Sequence, residues 1–255
     1  MSSKPQALIL RATGTNCDVE TENAFKVGGH ECQVLHLNRV TEAPERLRDF
    51  DVIVVPGGFS YGDDIGSGVV LAHQIKRFLK AEMLKFLERG GRILGICNGF
   101  QALLRAGLLT AEDGHFEEKA SATLTWNQSG RYEDRWVRLI MTGGSTPWIP
   151  EDANISCPVR HAEGRFVPKD DATYQRLMES GQIVVRYAGD DWKPAREYPA
   201  NPNGSHDSVA GICSKSGLVL GMMPHPECAL RPENFPGWTR EAPSEFPAAK
   251  LFAAV

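Results

Sequence analysis

Gly95-Ile96-Cys97-Asn98-Gly99 places a thiol between two glycines, each two residues away. Apolar Ile93–Ile96 precedes it and the helix-forming stretch Phe100–Leu109 follows. Glycines at those places remove the Cβ atoms that would block a sharp strand-to-helix turn, so the thiol is presented at the elbow. A cysteine at a helix N-terminus meets free N–H groups and the positive end of the dipole, which favour the nucleophilic thiolate. The second chemical outlier is Pro224-His225-Pro226-Glu227. Two prolines restrict the chain there and disfavour helix. In an extended segment residues i and i+2 share a face, so His225 and Glu227 stand side by side, roughly 6–7 Å apart at Cα. A carboxylate beside an imidazole fixes its tautomer and stabilises the imidazolium. With Cys97 the pair would complete a Cys-His-Glu triad. Gly57-Gly58 and Asn98 offer backbone N–H groups that could hold an oxyanion.

The elements that must position these groups follow an α/β pattern. Ala7–Ala12 reads as a strand, and the turn Thr13–Asn16 leads to a helix over Val19–Val27 that Asp18 can cap. Glu31–Leu37 and the solid apolar run Val52–Val55 are further strands, the latter covered on both faces. A glycine-rich loop follows at 56–64, then helical spacing over Val69–Arg89, then the elbow. Such alternation predicts a doubly wound, mostly parallel sheet flanked by helices, with ligands outside the strands' carboxyl ends. Phe116–Trp126 and Trp136–Met141 read as a pair of strands joined by a polar loop, forming an antiparallel edge. A short helix over Asp170–Ser180, a strand over Ile183–Tyr187, and a hairpin of Val209–Cys213 with Leu218–Met223 complete the pattern. With no clear linker, residues 1–255 read as a single domain. From about 230 a proline-rich tail runs to a short apolar helix, Ala248–Val255.

Composition excludes several classes. The balance of 28 basic against 32 acidic residues, net charge −4, lacks the basic excess of a nucleic-acid binder. No apolar run suits a signal peptide or a membrane span. None of the six cysteines forms Cys-x-x-Cys, so no metal site is predicted and reduced thiols in the cytoplasm are expected. Walker and dinucleotide glycine motifs are absent, so no ATP or nicotinamide cofactor is expected on this chain. His30, His36, His73, His115 and His206 have no partner spacing and read as structural or surface residues.

Gly95-Ile96-Cys97-Asn98-Gly99-Phe100-Gln101 with Pro224-His225-Pro226-Glu227 resembles the class I (triad) glutamine amidotransferases. Adding Pro56-Gly57-Gly58-Phe59-Ser60-Tyr61-Gly62-Asp63, His161-Ala162-Glu163-Gly164-Arg165 and Asn201-Pro202-Asn203-Gly204-Ser205, the set is similar to the glutaminase subunits of phosphoribosylformylglycinamidine synthase (PurQ). The motifs span roughly residues 7 to 230.

The resemblance implies a flavodoxin-like amidotransferase fold and a thioester mechanism on glutamine. Cys97 would be the nucleophile, His225 the base and Glu227 its orienter. Gly58 and Asn98 would form the oxyanion hole, and Gln101 would help hold glutamine. It implies a large synthetase subunit (PurL), which uses ATP and Mg, and, where it exists, a small bridging subunit (PurS). The chain departs from many members at Asp64-Ile65-Gly66-Ser67-Gly68. The 116–148 region and the tail after Cys228 also look longer than the compact pattern, which raises the expectation of an extra docking surface on the tail. Two other readings stay open: a stand-alone cysteine peptidase or γ-glutamyl hydrolase of this fold, and a non-catalytic regulatory subunit.

Overall fold

A computed structural model describes residues 4–112, 116–143, 145–150, 153–241 and 248–253. One nine-stranded sheet organises the chain. In chain order, β1 is Gln6–Arg11, β2 Glu31–His36, β3 Val52–Val55, β4 Arg92–Ile96 and β5 Ala122–Thr125. They are followed by β6 Glu133–Met141, β7 Ile155–His161, β8 Arg165–Pro168, β9 Ile183–Ala188, β10 Val209–Cys213 and β11 Val219–Met222. The large sheet runs β2-β1-β3-β4-β11-β10-β9-β6-β7. β2, β1, β3, β4 and β11 are parallel, and β10, β9, β6 and β7 continue antiparallel as a wing. Val52–Val55 is buried throughout, as a strand covered on both faces must be.

Helix α1 (Asp18–Val27) packs on β1 and β2. Three short helical pieces follow: α2 (Leu37–Glu42), α3 (Val69–Gln74) and α4 (Lys80–Glu88). α5 (Asn98–Arg105) lies across β3, β4 and β11. The remaining helices are α6 (Asp171–Glu179), α7 (Trp238–Glu241) and α8 (Ala248–Ala253). α8 closes back on α1, with Phe252 fully buried and its ring 5.3 Å, edge to face, from that of Phe25. This face of the tail is therefore spent inside the chain's own core rather than offered for docking.

Four local expectations are corrected. Phe116–Trp126 and Trp136–Met141 do not pair with each other. β5 joins β8 in a separate two-stranded sheet, while β6 lies between β9 and β7, so the edge strand is β7. The 69–89 helix is interrupted by a π segment, Ile75–Leu79, between α3 and α4. Asp18 does not cap α1: Cys17 occupies the cap without a side-chain bond, and Asp18 pairs with Arg11 at 3.3 Å. The segment after β11 is not extended throughout, because Pro226–Cys228 forms one 3-10 turn, with Pro226 in the first turn where its missing N–H costs nothing. His115 lies outside the described residues. No helix among them is long and apolar enough to cross a membrane.

Candidate active site

β3, β4 and β11 are parallel neighbours, so their carboxyl ends bring Gly57, Cys97 and His225 to one rim of the sheet. The loop after β1 reaches the same rim. It pairs Thr15 with Gly58 in a single antiparallel bridge, through Asn16 N–H to the Gly57 carbonyl (3.3 Å) and Phe59 N–H to the Gly14 carbonyl (2.9 Å). Between β1 and β3 the sheet's winding changes direction, the place where a crevice opens in this class of fold.

Cys97 sits at φ 51°, ψ −106°, a strained conformation for a residue with a side chain. The surrounding packing enforces it. A Cβ on Gly99 would lie 1.8 Å from the Val55 carbonyl oxygen, and one on Gly95 would lie 2.8 Å from the Gly99 backbone. Only glycines let α5 start this close to β3 and β4. The Cys97 N–H is bonded to the Met222 carbonyl at 2.8 Å, tying the elbow to β11. Cys97 is 5% exposed, and its thiol donates to the Arg160 carbonyl on β7 at 3.5 Å.

His225 and Glu227 are both buried, with Nδ1 2.6 Å from the carboxylate Oε1. A proton on Nδ1 donates to Glu227 and leaves Nε2 for chemistry. Nε2 has no partner at hydrogen-bond distance among the described residues. Burial alone would lower the pKa of this ring. The Glu227 carboxylate, with Cys97 and Cys17, outweighs burial and raises it well above 6.5. The His225 N–H is anchored on the Pro158 carbonyl at 2.8 Å, which fixes the segment against β7. A Cβ on Gly57 would fall 2.8 Å from His225 Cε1, 3.3 Å from Cys17 Sγ and 3.5 Å from Cys97 Cβ. The His225 ring, Cys97 and a second thiol therefore crowd around one point that glycine leaves open.

The two N–H groups predicted to hold an oxyanion are both available. Gly58 sits in the bridge at a position whose own N–H is not used, and Asn98 opens α5. Neither N–H has a partner among the described residues. The Asn98 side chain has a separate duty. Its Oδ1 accepts from Ser60 N–H at 3.1 Å, and its Nδ2 reaches Asp63 Oδ1 at 3.2 Å and Gln101 Oε1 at 3.0 Å. Gln101 donates onward to the Glu163 carbonyl at 2.7 Å. Gln101 thus faces the loop at 161–164 and spends part of its hydrogen-bonding capacity there.

That loop is braced from below. His161 is buried, with Nδ1 3.1 Å from Asn127 Oδ1, an oxygen that also accepts from Gly164 N–H. Its pKa falls to about 3, through burial first and the nearby charge of His225 second, so it is neutral. Asn203 donates to the Gly164 carbonyl at 2.8 Å and to Tyr187 Oη at 3.1 Å. The motifs at 161–165 and 201–205 therefore form a polar scaffold beneath the site. Asp63 is pushed up by burial, against hydrogen bonds from Ser67, Gly68 and Asn98.

Three contributors had no mark in the sequence reading: Cys17, the Arg160 carbonyl and Asn127. Cys17 ends the first strand-to-helix loop, the segment facing the change in winding, and that placement was its available signal. The other two depend on the pairing of β6 with β7.

A strained thiol elbow, a carboxylate-held imidazole and two free N–H groups on a flavodoxin-like sheet can carry acyl transfer through a thioester. The fold and elbow define a glutamine amidotransferase, and the family model described as CobB/CobQ-like glutamine amidotransferase domain matches residues 4–255. Phosphoribosylformylglycinamidine synthase subunit PurQ from Treponema denticola is 40% identical over 239 residues, covering 88% of each chain. The subunit of that name from Methanococcus maripaludis is 42% identical over 228 residues, 89% of this chain and 83% of its own. A chain of the solved PurLQS structure from Thermotoga maritima superposes with TM-score 0.73 at 32% identity, over 99% of this chain and 97% of that one. The chain belongs to the PurQ family of phosphoribosylformylglycinamidine synthase subunits.

Proposed function

We propose that this protein is the glutaminase subunit of a phosphoribosylformylglycinamidine synthase, acting through Cys97, His225 and Glu227. His225 Nε2 takes the Cys97 proton as the sulfur attacks the side-chain amide carbon of glutamine. The oxyanion is held by the Gly58 and Asn98 N–H groups. The C–N bond then breaks, Nε2 returns its proton to the departing ammonia, and a γ-glutamyl thioester remains on Cys97. Water, deprotonated by His225, releases glutamate and restores the thiol. Gln101 helps seat the glutamine through the hydrogen-bonding capacity it retains. The observation that carries this reading is the convergence of Cys97 and the His225–Glu227 pair around the open point at Gly57.

Ammonia becomes the non-nucleophilic ammonium ion in water, so it must pass directly to a synthetase. In this reading a large PurL-type subunit converts formylglycinamide ribonucleotide to the amidine with ATP and Mg, and a PurS-type subunit bridges the two. This chain needs no cofactor of its own, and the cytoplasm is the compartment implied. The family membership and the PurLQS likeness support the assembly.

The test is labelling with the reactive glutamine analogue diazo-oxo-norleucine in the presence of the synthetase partner, read by peptide mass. One adduct on Cys97, blocked by excess glutamine, is expected. Cys97→Ala should abolish glutamine-dependent synthesis and keep ammonia-dependent synthesis. Glutamate release indifferent to the partner would point to a stand-alone hydrolase. No adduct and no release under any condition would leave a regulatory subunit.

A further inference from the structure

Cys17 is fixed at the site from both sides. Its N–H is bonded to the Gly57 carbonyl at 3.2 Å, and its carbonyl accepts from Thr21 N–H and Oγ1 at 3.0 and 2.6 Å. Its thiol donates to Asn16 Oδ1 at 3.3 Å, which commits the proton and leaves the sulfur lone pairs free. Sγ lies within 4.8 Å of a ring nitrogen of His225 and of a Glu227 carboxylate oxygen, and all three residues are buried. It also borders the point at Gly57 shared with His225 Cε1 and Cys97 Cβ. Nδ1 of His225 is occupied by Glu227, and Nε2 is buried without a partner. A buried polar atom in that state calls for a partner at some stage of the cycle.

We infer that Cys17 is a positioning residue for the reaction proposed above: its sulfur accepts a hydrogen bond from Nε2–H of the imidazolium. The inference rests on that functional reading. Once Nε2 has taken the Cys97 proton and Cys97 sulfur has bonded to the substrate carbon, Cys97 can no longer accept from Nε2. Cys17 then holds the protonated ring until the proton passes to the leaving nitrogen. No covalent bond to Cys17 forms or breaks, and its own proton stays on the sulfur, directed at Asn16 Oδ1. The Cys17 contact is among the influences that raise the basicity of His225. Other titratable groups in electrostatic reach of that ring are Cys157 and His161 on β7, Tyr187 on β9, Tyr132 and Cys228.

The experiment compares Cys17→Ala and Cys17→Ser in the assembled synthase, measuring kcat and KM for glutamine, the pH profile of kcat/KM, and ammonia-dependent synthesis as a control of assembly. Cys17→Ala is expected to lower the glutamine-dependent kcat roughly 10-fold with KM within about twofold, the effect of one buried hydrogen bond. The limb governed by His225 should move to lower pH by about half to one unit, because the imidazolium loses an acceptor. Cys17→Ser keeps an acceptor and should restore both. If Cys17→Ala does not assemble, Cys17→Thr against Cys17→Val makes the same comparison at matched volume. Wild-type kcat and limbs in the variant without an acceptor would overturn the inference. So would equal impairment of both members of a pair with unmoved limbs, which is a packing defect. Wild-type complex that releases no glutamate from glutamine would instead overturn the functional reading, and this inference with it.

Discussion

Gly57→Ala tests the geometry of the site with one methyl group. The backbone of Gly57 lies outside the left-handed region, so alanine is allowed there on conformational grounds. The new Cβ would sit 2.8 Å from His225 Cε1, 3.3 Å from Cys17 Sγ and 3.5 Å from Cys97 Cβ. Carbon atoms settle at about 3.5–4.0 Å, so the ring must withdraw by roughly 1 Å. It has little freedom to do so. Its Nδ1 is 2.6 Å from Glu227, its backbone N–H is held by Pro158, and prolines flank it. Misplacing a catalytic group by about 1 Å can cost on the order of 10²-fold in rate. Glutamine-dependent kcat should therefore fall about 100-fold, with alkylation of Cys97 by diazo-oxo-norleucine slowed in parallel. Ammonia-dependent synthesis by the complex should persist, and the melting temperature should stay within a few degrees. Glutamine-dependent activity within twofold of wild type, in a folded variant, would refute a functional convergence of His225 and Cys97 at this point.

Two further perturbations separate the triad from its scaffold. Glu227→Gln replaces the carboxylate that accepts from Nδ1–H with an amide that can donate to an unprotonated Nδ1 and so select the other tautomer, and the glutamine-dependent kcat should drop by about 10²–10⁴; steady-state kinetics showing less than a 10-fold loss would remove Glu227 from the mechanism. His161 titrates at about 3 in the fold against about 6.5 unfolded, so the unfolded chain binds the extra proton between those values. Stability present above about pH 6.5 is then lost as pH falls toward 3, by about 2 kcal/mol at pH 5. His30 is lowered by burial and adds to the slope, so the comparison of wild type with His161→Gln in urea melts from pH 7 to 5 isolates the term. His225, raised above 6.5, is protonated in both states below that pH and contributes no slope there. An unchanged slope in His161→Gln would contradict the neutral, buried assignment.

The parts of the molecule legible in the sequence are those whose causes are local. Glycines around Cys97 specify an elbow because a Cβ at 95 collides with the Gly99 backbone within the same strand–turn–helix unit, while one at 99 collides with Val55 on the neighbouring β3. His225 and Glu227 are two residues apart, and their pairing survives even though the chain adopts a 3-10 turn where extension was expected. Strand pairing in the middle of the chain is different. The polar loop at 127–132 links β5 to β6, yet Asn127 binds the His161 carbonyl and ring, and β5 leaves for β8. That choice is set by partners more than thirty residues away, which a pattern of alternating residues does not encode.

The same distinction explains why the places of Cys17 and Arg160 are not legible in the sequence. Each acts through an atom with no chemical signature: a sulfur among six free cysteines, and a main-chain carbonyl. Their positions follow from the sheet order. β1 lies beside β3, which delivers the 12–17 loop to Gly57, and the segment after β11 is bonded to β7, which brings the Arg160 carbonyl over Cys97. The Cys97 thiol therefore points its proton at Arg160 rather than at His225 Nε2, and Nε2 stands unpartnered. For proton transfer the thiol must turn from the carbonyl to the ring, a side-chain rotation at a residue only 5% exposed.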